Sequence, residues 1–311
     1  MALKGVVLLT GGYGMVGRNI LEHPSAQEWN IIFPGSSELD LTDYKSTFAY
    51  VDALRPDIVI HAAGKVGGIQ ANIAHPVDFL VKNMDMGRNI VLAARKVGVK
   101  RLLNLGSSCM YPRNASNPLT EEMILQGELE PTNEGYALAK IMTERLCRYI
   151  NTEDPEYAFK TLIPCNLFGR HDKFEPEHSH LIPAIIHKIH NAIEAGHAAV
   201  EIWGDGSARR EFMYAGDFAD AVFHSLTNFE SLPALMNVGL GYDYTINEYY
   251  QAAADVMGFN GQFEHDCSKP VGMKQKLVST DMQKAWGWSP SVSLRQGLQK
   301  TYQNYKKQYL V

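Results

Sequence analysis

The sequence predicts an α/β protein: a Rossmann-type doubly wound parallel sheet with helices on both faces, followed by a smaller C-terminal α/β region. Three observations predict it. Short apolar runs alternate with helical patterns through the first half of the chain, as in βαβ units. A glycine-rich turn directly follows the first apolar run. Beyond residue 165 the pattern changes, with more proline and more aromatic residues.

The elements follow in order. Residues 5–10 (GVVLLT) form a continuous apolar run ending in glycines, the pattern of a strand buried on both faces. Residues 15–21 read as helix. A second short strand, 31–33, is stopped by Pro34-Gly35. Strands are also expected at 57–62, at 101–105 running into Gly106-Ser107-Ser108, and at 159–163. Long helical patterns cover 79–97 and 136–150, and further helices are expected at 182–195, 215–226 and 247–256. We therefore expect residues 1–165 to bind a dinucleotide. Residues 166–311 would mainly bind substrate, with some segments returning to the first domain.

Composition narrows the function. The 311 residues are 45% hydrophobic and 20% charged, with a net charge of −5. That balance suits an ordinary globular protein and gives no basic excess for nucleic acid or an anionic membrane. An anionic ligand would need local cations and backbone amides. Cys109, Cys147, Cys165 and Cys267 form no C-x-x-C pair, so a reducing, cytoplasmic compartment is expected. The N-terminal apolar run is too short for a secretion signal, and no stretch is long enough to cross a bilayer.

Thr10-Gly11-Gly12-Tyr13-Gly14-Met15-Val16-Gly17 places a G-x-x-G-x-x-G pattern between strand and helix. Such glycines let the backbone turn tightly and approach a pyrophosphate at the helix N-terminus. At the tip of the second strand, Pro34-Gly35-Ser36-Ser37 holds neither acid nor arginine. Ser36 and Ser37 can donate to a 2′-phosphate, which favours NADP(H) and leaves NAD(H) open. Asp40-Leu41-Thr42-Asp43 either lies near the adenine or caps a helix.

Tyr136 and Lys140 are four residues apart and share a helix face. A lysine ammonium there is expected to lower the phenol pKa, readying the tyrosine to pass a proton to a carbonyl oxygen. Tyr302 and Lys306 have the same spacing but no such setting. What distinguishes Tyr136 is Ser107, at a strand end, whose hydroxyl can bond the same carbonyl. Cys109 follows Ser107-Ser108 and should face the same pocket. With His180 it can exchange protons at carbons beside a ketone, whose oxygen stabilises the enolate; a structural cysteine and histidine are the alternative. His171, His178 and His180, with Asp172 and Glu175, lack a second ligand cluster of characteristic spacing, so no metal is expected.

The glycine motif, Ser107 and Tyr136-x-x-x-Lys140 resemble the extended short-chain dehydrogenase/reductases. Within them the chain is most similar to the GDP-L-fucose synthase family, the GDP-4-keto-6-deoxy-D-mannose 3,5-epimerase/4-reductases. The resembling segments span residues 61–69, 106–112, 129–134, 164–169, 179–183 and 209–212, nearly the whole chain. The resemblance implies that Ser107, Tyr136 and Lys140 reduce the C4 ketone. It implies that Cys109 is the base and His180 the acid that epimerise C3 and C5. It assigns the cofactor to Thr10, Gly11, Gly14, Met15, Val16, Gly17, Ser36, Ser37, Asp40, Leu41, Ala62, Ala63, Lys140 and His180. It assigns the GDP-linked 4-keto-deoxy sugar to Asn166, Leu181, Lys188, Trp203, Arg210 and Lys276. Arg210 and Lys276 suit a diphosphate. A homodimer through a four-helix bundle, built from the helices at 79–97 and 136–150, is also implied.

Two departures bear on ligand choice. Pro34 and Ser36 stand where bacterial members carry arginine, and Gly11-Gly12-Tyr13-Gly14 replaces the usual Gly-His-x-Gly. The alternative is a related GDP-4-keto sugar reductase acting on a colitose or 6-deoxy-heptose precursor, with partial or no epimerisation. A sugar-nucleotide dehydratase fits less well, because Ser108-Cys109 stands where those enzymes place an Asp-Glu pair.

Overall fold

The computed structural model describes residues 3–175, 179–269 and 273–309, and every statement below concerns those residues. The strands are β1 (Val6–Thr10), β2 (Asn30–Ile32), β3 (Ile58–His61), β4 (Arg101–Leu105), β5 (Ala158–Pro164), β6 (Asn166–Phe168), β7 (Ala199–Trp203), β8 (Arg209–Arg210), β9 (Phe212–Tyr214), β10 (Leu235–Val238), β11 (Tyr244–Thr245), β12 (Gln262–Asp266) and β13 (Gln275–Lys276). The helices are α1 (Met15–Leu21), α2 (Tyr44–Leu54), α3 (Ile69–Ala74), α4 (Pro76–Val97), α5 (Glu134–Glu153), α6 (Leu181–Ala195), α7 (Ala215–Thr227), α8 (Ile246–Met257), α9 (Asp281–Trp286) and α10 (Leu294–Tyr309).

The main sheet has the order β10-β5-β4-β3-β1-β2 and its pairings are parallel. Strand periodicity explains how both faces are covered. Val7 and Leu9 of β1 enter one apolar cluster with Ile20 of α1 and Phe218, Val222 and Leu226 of α7. Leu8 between them enters another, with Val51 of α2, Ile90 and Ala94 of α4, and Cys147 and Ile150 of α5. A third cluster, outside the sheet, packs Ile182, Ile185 and Ile189 of α6 against Val200 and Ile202 of β7, Tyr249 of α8 and Leu298 of α10.

The doubly wound sheet expected from the sequence is present, with several differences in detail. β10, more than 70 residues beyond the end of β5, supplies the sixth strand by pairing Leu235–Val238 with Thr161–Pro164. α2 was not evident in sequence. Its only buried residues are Thr47 and Val51, too few to show as an apolar stripe, and Asp43 caps it through Lys45 N–H. α3 and the strands β6 to β9 and β11 to β13 were also not evident: β6, β8, β9, β11 and β13 have only two or three residues, and in β7 and β12 polar or exposed residues interrupt the apolar pattern. No described helix is long and apolar enough to cross a membrane.

Strand order reverses around β1, because β2 lies to one side of it and β3 to the other. A crevice opens at such a point, beyond the carboxyl ends of the strands. The glycine turn leaves β1 there, and residues 62–68 leave β3 beside it.

Candidate active site

The first wall of the crevice is the glycine turn. Gly11 has φ +75°, and a Cβ there would lie 2.6 Å from Ala63 N. A Cβ on Gly17 would lie 2.2 Å from Gly11 O. These backbone contacts require glycine and hold α1 tightly against β1. Gly14 caps α1 with no side-chain bond. Thr10 is buried; its Oγ1 lies 2.9 Å from His61 Nδ1 and accepts from Ala63 N–H at 3.3 Å. Burial, with Lys140 adding to it, holds the His61 imidazole down to about 3, so it stays neutral. The result is a cradle whose floor is bare backbone, which fits the pyrophosphate of a dinucleotide.

The second wall comes from the ends of β4 and β5 and the start of α5. One cleft is lined by Met15, Val16, Ala62, Ser107, Cys109, Tyr136 and Lys140. It is also lined by Asn166, His180, Arg210 and Lys276. Residues far apart in sequence are thus gathered at one place. Ser107 Oγ accepts from Cys109 N–H at 3.4 Å, and its hydroxyl lies close enough to the Tyr136 phenol and the Cys109 thiol to favour their ionised forms. Lys140 Nζ donates to Leu105 O at 2.8 Å and lies 5.8 Å from the centre of the Tyr136 ring. Tyr302 and Lys306, with the same spacing, lie on α10 instead, where Tyr302 Oη is 3.2 Å from His190 Nδ1.

The electrostatics differ from the sequence expectation in one respect. The Tyr136 phenol is pushed up, not down: burial dominates, the nearby Cys109 adds to it, and the Ser107 hydrogen bond only partly offsets it. Burial also pulls the Lys140 ammonium down, to about 8, and its hydrogen bond goes to the Leu105 carbonyl and not to the phenol. At neutral pH the phenol is therefore protonated. Burial raises the Cys109 thiol, opposed by Lys276, Ser107 and Lys140, and burial with Lys173 lowers the His180 imidazole. Both rest neutral.

Several expected positions lie elsewhere. Ser36, Ser37 and Asp40 are exposed around the tip of β2, and Leu41 is buried. Near them, Glu38 Oε2 accepts from Gly35 N–H at 2.9 Å, so an acid stands close to the tip after all. Trp203 and Lys188 meet each other: the Lys188 ammonium is 5.4 Å from the indole centre, and Trp203 Nε1 donates to Glu201 Oε1 at 2.7 Å. The alternation of β7 turns Val200 and Ile202 inward and Trp203 outward. These two residues and Leu181 are not among those lining the cleft. His171 binds Glu22, with 2.6 Å between Nε2 and Oε1, and His178 lies outside the described residues. No described group of three or more His, Cys, Asp or Glu is placed to hold a metal.

Sequence reasoning gave no role to Asn72, Glu130, Thr132, Asn133, Phe218 or Met273, which also line the cleft. Glu130 and Asn133 fall in a segment singled out for its resemblance, but nothing local marks their side chains as inward-facing.

Residues 7–239 match the family model described as the NAD dependent epimerase/dehydratase family. The chain belongs to this family. Among curated members of known sequence, it is 55% identical over 299 residues to the GDP-L-colitose synthase of Yersinia pseudotuberculosis, covering 96% of this chain and 97% of that one. It is 48% identical to the GDP-L-fucose synthase of Azorhizobium caulinodans, covering 96% of each. Among solved structures, a GDP-L-fucose synthetase from Naegleria fowleri bound to NADP has 27% identity and a TM-score of 0.89, over all of this chain and 97% of that one. A GDP-6-OMe-4-keto-L-xylo-heptose reductase from C. jejuni has 28% identity and a TM-score of 0.91, over 99% of both chains. The epimerase/dehydratase fold is thus shared across enzymes whose names include GDP-sugar reductases.

Proposed function

We propose that the chain is an NADP(H)-dependent epimerase-reductase that converts GDP-4-keto-6-deoxy-D-mannose to GDP-L-fucose. The observation that carries this reading is one cleft holding Ser107, Tyr136 and Lys140 together with Cys109, His180, Arg210 and Lys276. Residues 1–165 would mainly serve the cofactor and 166–311 mainly the sugar nucleotide. Gly11, Gly14 and Gly17 of the glycine turn would hold the dinucleotide, which would supply the hydride for reduction at C4. Tyr136, protonated at rest, donates its proton to the ketone oxygen, while the Ser107 hydroxyl bonds the same oxygen. Lys140 stabilises the phenolate left behind.

At rest the Cys109 thiol holds the one proton the pair exchanges; once it has passed to His180, the thiolate can accept a proton from a carbon beside the ketone while the imidazolium donates one to the opposite face. The resemblance makes Cys109 the acceptor. Lys276 and Lys140 favour that arrangement by stabilising a thiolate. Arg210 and Lys276 face the diphosphate. Trp203 and Lys188, a flat ring beside a cation, suit the far end of the nucleotide. The enzyme would act in the cytoplasm as a homodimer, in which α4 and α5 of two copies form a four-helix bundle.

A second reading is favoured by the 55% identity to a GDP-L-colitose synthase: the substrate is the 3-deoxy counterpart, and only C5 is inverted. Each sugar should be incubated with NADPH, then NADH, in deuterated water, with products followed by mass spectrometry and NMR. The first reading expects cofactor consumption and deuterium at C3 and C5 with the 3-hydroxy sugar. Preference for the 3-deoxy sugar selects the second. Consumption of neither cofactor with either sugar sinks both.

A further inference from the structure

Glu211 is a buried acid (1% exposed) between β8 and β9, outside the cleft lining. Its carboxylate joins three separate segments. Oε1 accepts from Leu240 N–H at 2.6 Å and Gly241 N–H at 2.9 Å, in the loop after β10. Oε2 accepts from Val278 N–H at 2.9 Å, just beyond β13. The backbone carbonyl of Glu211 accepts from Asn166 Nδ2 at 3.0 Å. The fit is close: a Cβ on Gly239 would lie 2.5 Å from Glu211 Oε1 and 2.6 Å from Val278 Cγ2.

Two of the segments so joined, those of β8 and β13, bear a cleft residue. Arg210 immediately precedes Glu211. Lys276 stands two residues before Val278 and pairs in register with Arg210 across β13 and β8. That pairing is only two residues long, too short to hold its register unaided. An outside anchor on each strand is needed, and Glu211 supplies one to both: it is continuous with β8 and bonded to the residue that leads out of β13.

We propose that Glu211 is a positioning residue that sets the spacing of Arg210 and Lys276, and through it the affinity of the cleft for a nucleoside diphosphate. This rests on the reading that those two cations take the diphosphate. A buried carboxyl group whose oxygens take three N–H donors is stiff, because withdrawing any donor leaves a buried polar atom short of a partner. Replacing it by an amide turns one acceptor into a donor facing a backbone N–H.

The test uses the full chain, with GDP and NADP⁺ as separate probes in titration calorimetry. In Glu211→Gln, the GDP Kd should rise at least tenfold while the NADP⁺ Kd stays within twofold of the wild type. Glu211→Asp, which keeps the carboxyl group but draws it back, should fall between. Lys276→Met should also weaken GDP, and combining it with Glu211→Gln should add little, because both changes remove the same contact. A GDP Kd within twofold of wild type in Glu211→Gln overturns the proposal, as does parallel loss of GDP and NADP⁺. Multiplicative losses in the double variant overturn it too, and remain measurable as Glu211→Asp with Lys276→Met if the glutamine variant does not fold. Failure of the wild type to bind GDP would instead sink the functional reading.

Discussion

The ammonium of Lys140 donates to the main-chain oxygen of Leu105 at 2.8 Å, fixing the middle of α5 to the end of β4. Burial holds this lysine down to about 8. Below that pH it is charged and can stabilise a phenolate at Tyr136; above it the charge is lost. The kcat/KM for ketone reduction should therefore fall about tenfold between pH 7 and pH 9. Stability should move the other way. The folded-state pKa lies below the unfolded one, so from about pH 8 to the ordinary lysine value the unfolded chain binds more protons, and Lys140's contribution rises with pH. Rate–pH profiles beside denaturant melts at each pH test this. A fall in activity that tracks a fall in stability would contradict it.

Tyr136→Phe removes the proton donor and leaves Cys109 and His180 in place. Cofactor oxidation with the keto sugar should drop by a factor of about 10² to 10⁴. Solvent deuterium should still enter beside the ketone, as NMR of the recovered sugar would reveal. If reduction persists at the wild-type rate, the tyrosine is not the donor.

Gly17→Ala sets a methyl 2.2 Å from Gly11 O, against backbone that has no rotamer to escape into. Overpacking of this kind costs about 1–3 kcal/mol, so the cofactor Kd should rise roughly tenfold or more, read by fluorescence titration. The GDP affinity should change much less.

Asn237 ties β10 to the segment between β4 and α5. Its Oδ1 accepts from Tyr111 Oη at 2.6 Å, its Nδ2 donates to Leu119 O at 2.9 Å, and its N–H donates to Glu121 Oε1 at 2.7 Å. Asn237→Ala leaves the Tyr111 hydroxyl and Leu119 carbonyl buried without this partner. A loss of about 1–3 kcal/mol is expected in chemical denaturation, with Tyr111→Phe losing less because it removes the stranded hydroxyl itself.

Val77, Val81, Leu138 and Tyr149 are exposed on α4 and α5 at 72%, 40%, 41% and 58%. If the proposed four-helix bundle forms, Val81→Asp with Leu138→Glu should convert a dimer to a monomer in sedimentation. An unchanged mass would place the interface elsewhere.

Much of this site could be read locally. The glycine turn announces itself because strand, glycines and helix are adjacent in sequence. Tyr136 and Lys140 are paired by helical spacing alone. The protonation of Tyr136 was misread for a physical reason: the influence of a neighbouring lysine is a local inference, whereas desolvation depends on everything packed around the phenol. Trp203 shows the same limit, since its outward direction follows from β7, whose strand character is fixed by its pairing with β12 and not by a continuous apolar run.

By itself the sequence determined five of the six strands of the sheet, the turn at the end of β1 and the helical pairing of Tyr136 with Lys140, because periodicity and backbone freedom are properties of neighbouring residues. Only the tertiary structure decided that β10 closes the sheet beside β5, that residues 107, 109, 136, 180, 210 and 276 line one cleft, and that Glu211 joins the strands bearing two of them. Those relations link segments as much as 170 residues apart, where contact is set by which buried surfaces and hydrogen bonds can be satisfied together rather than by any local pattern.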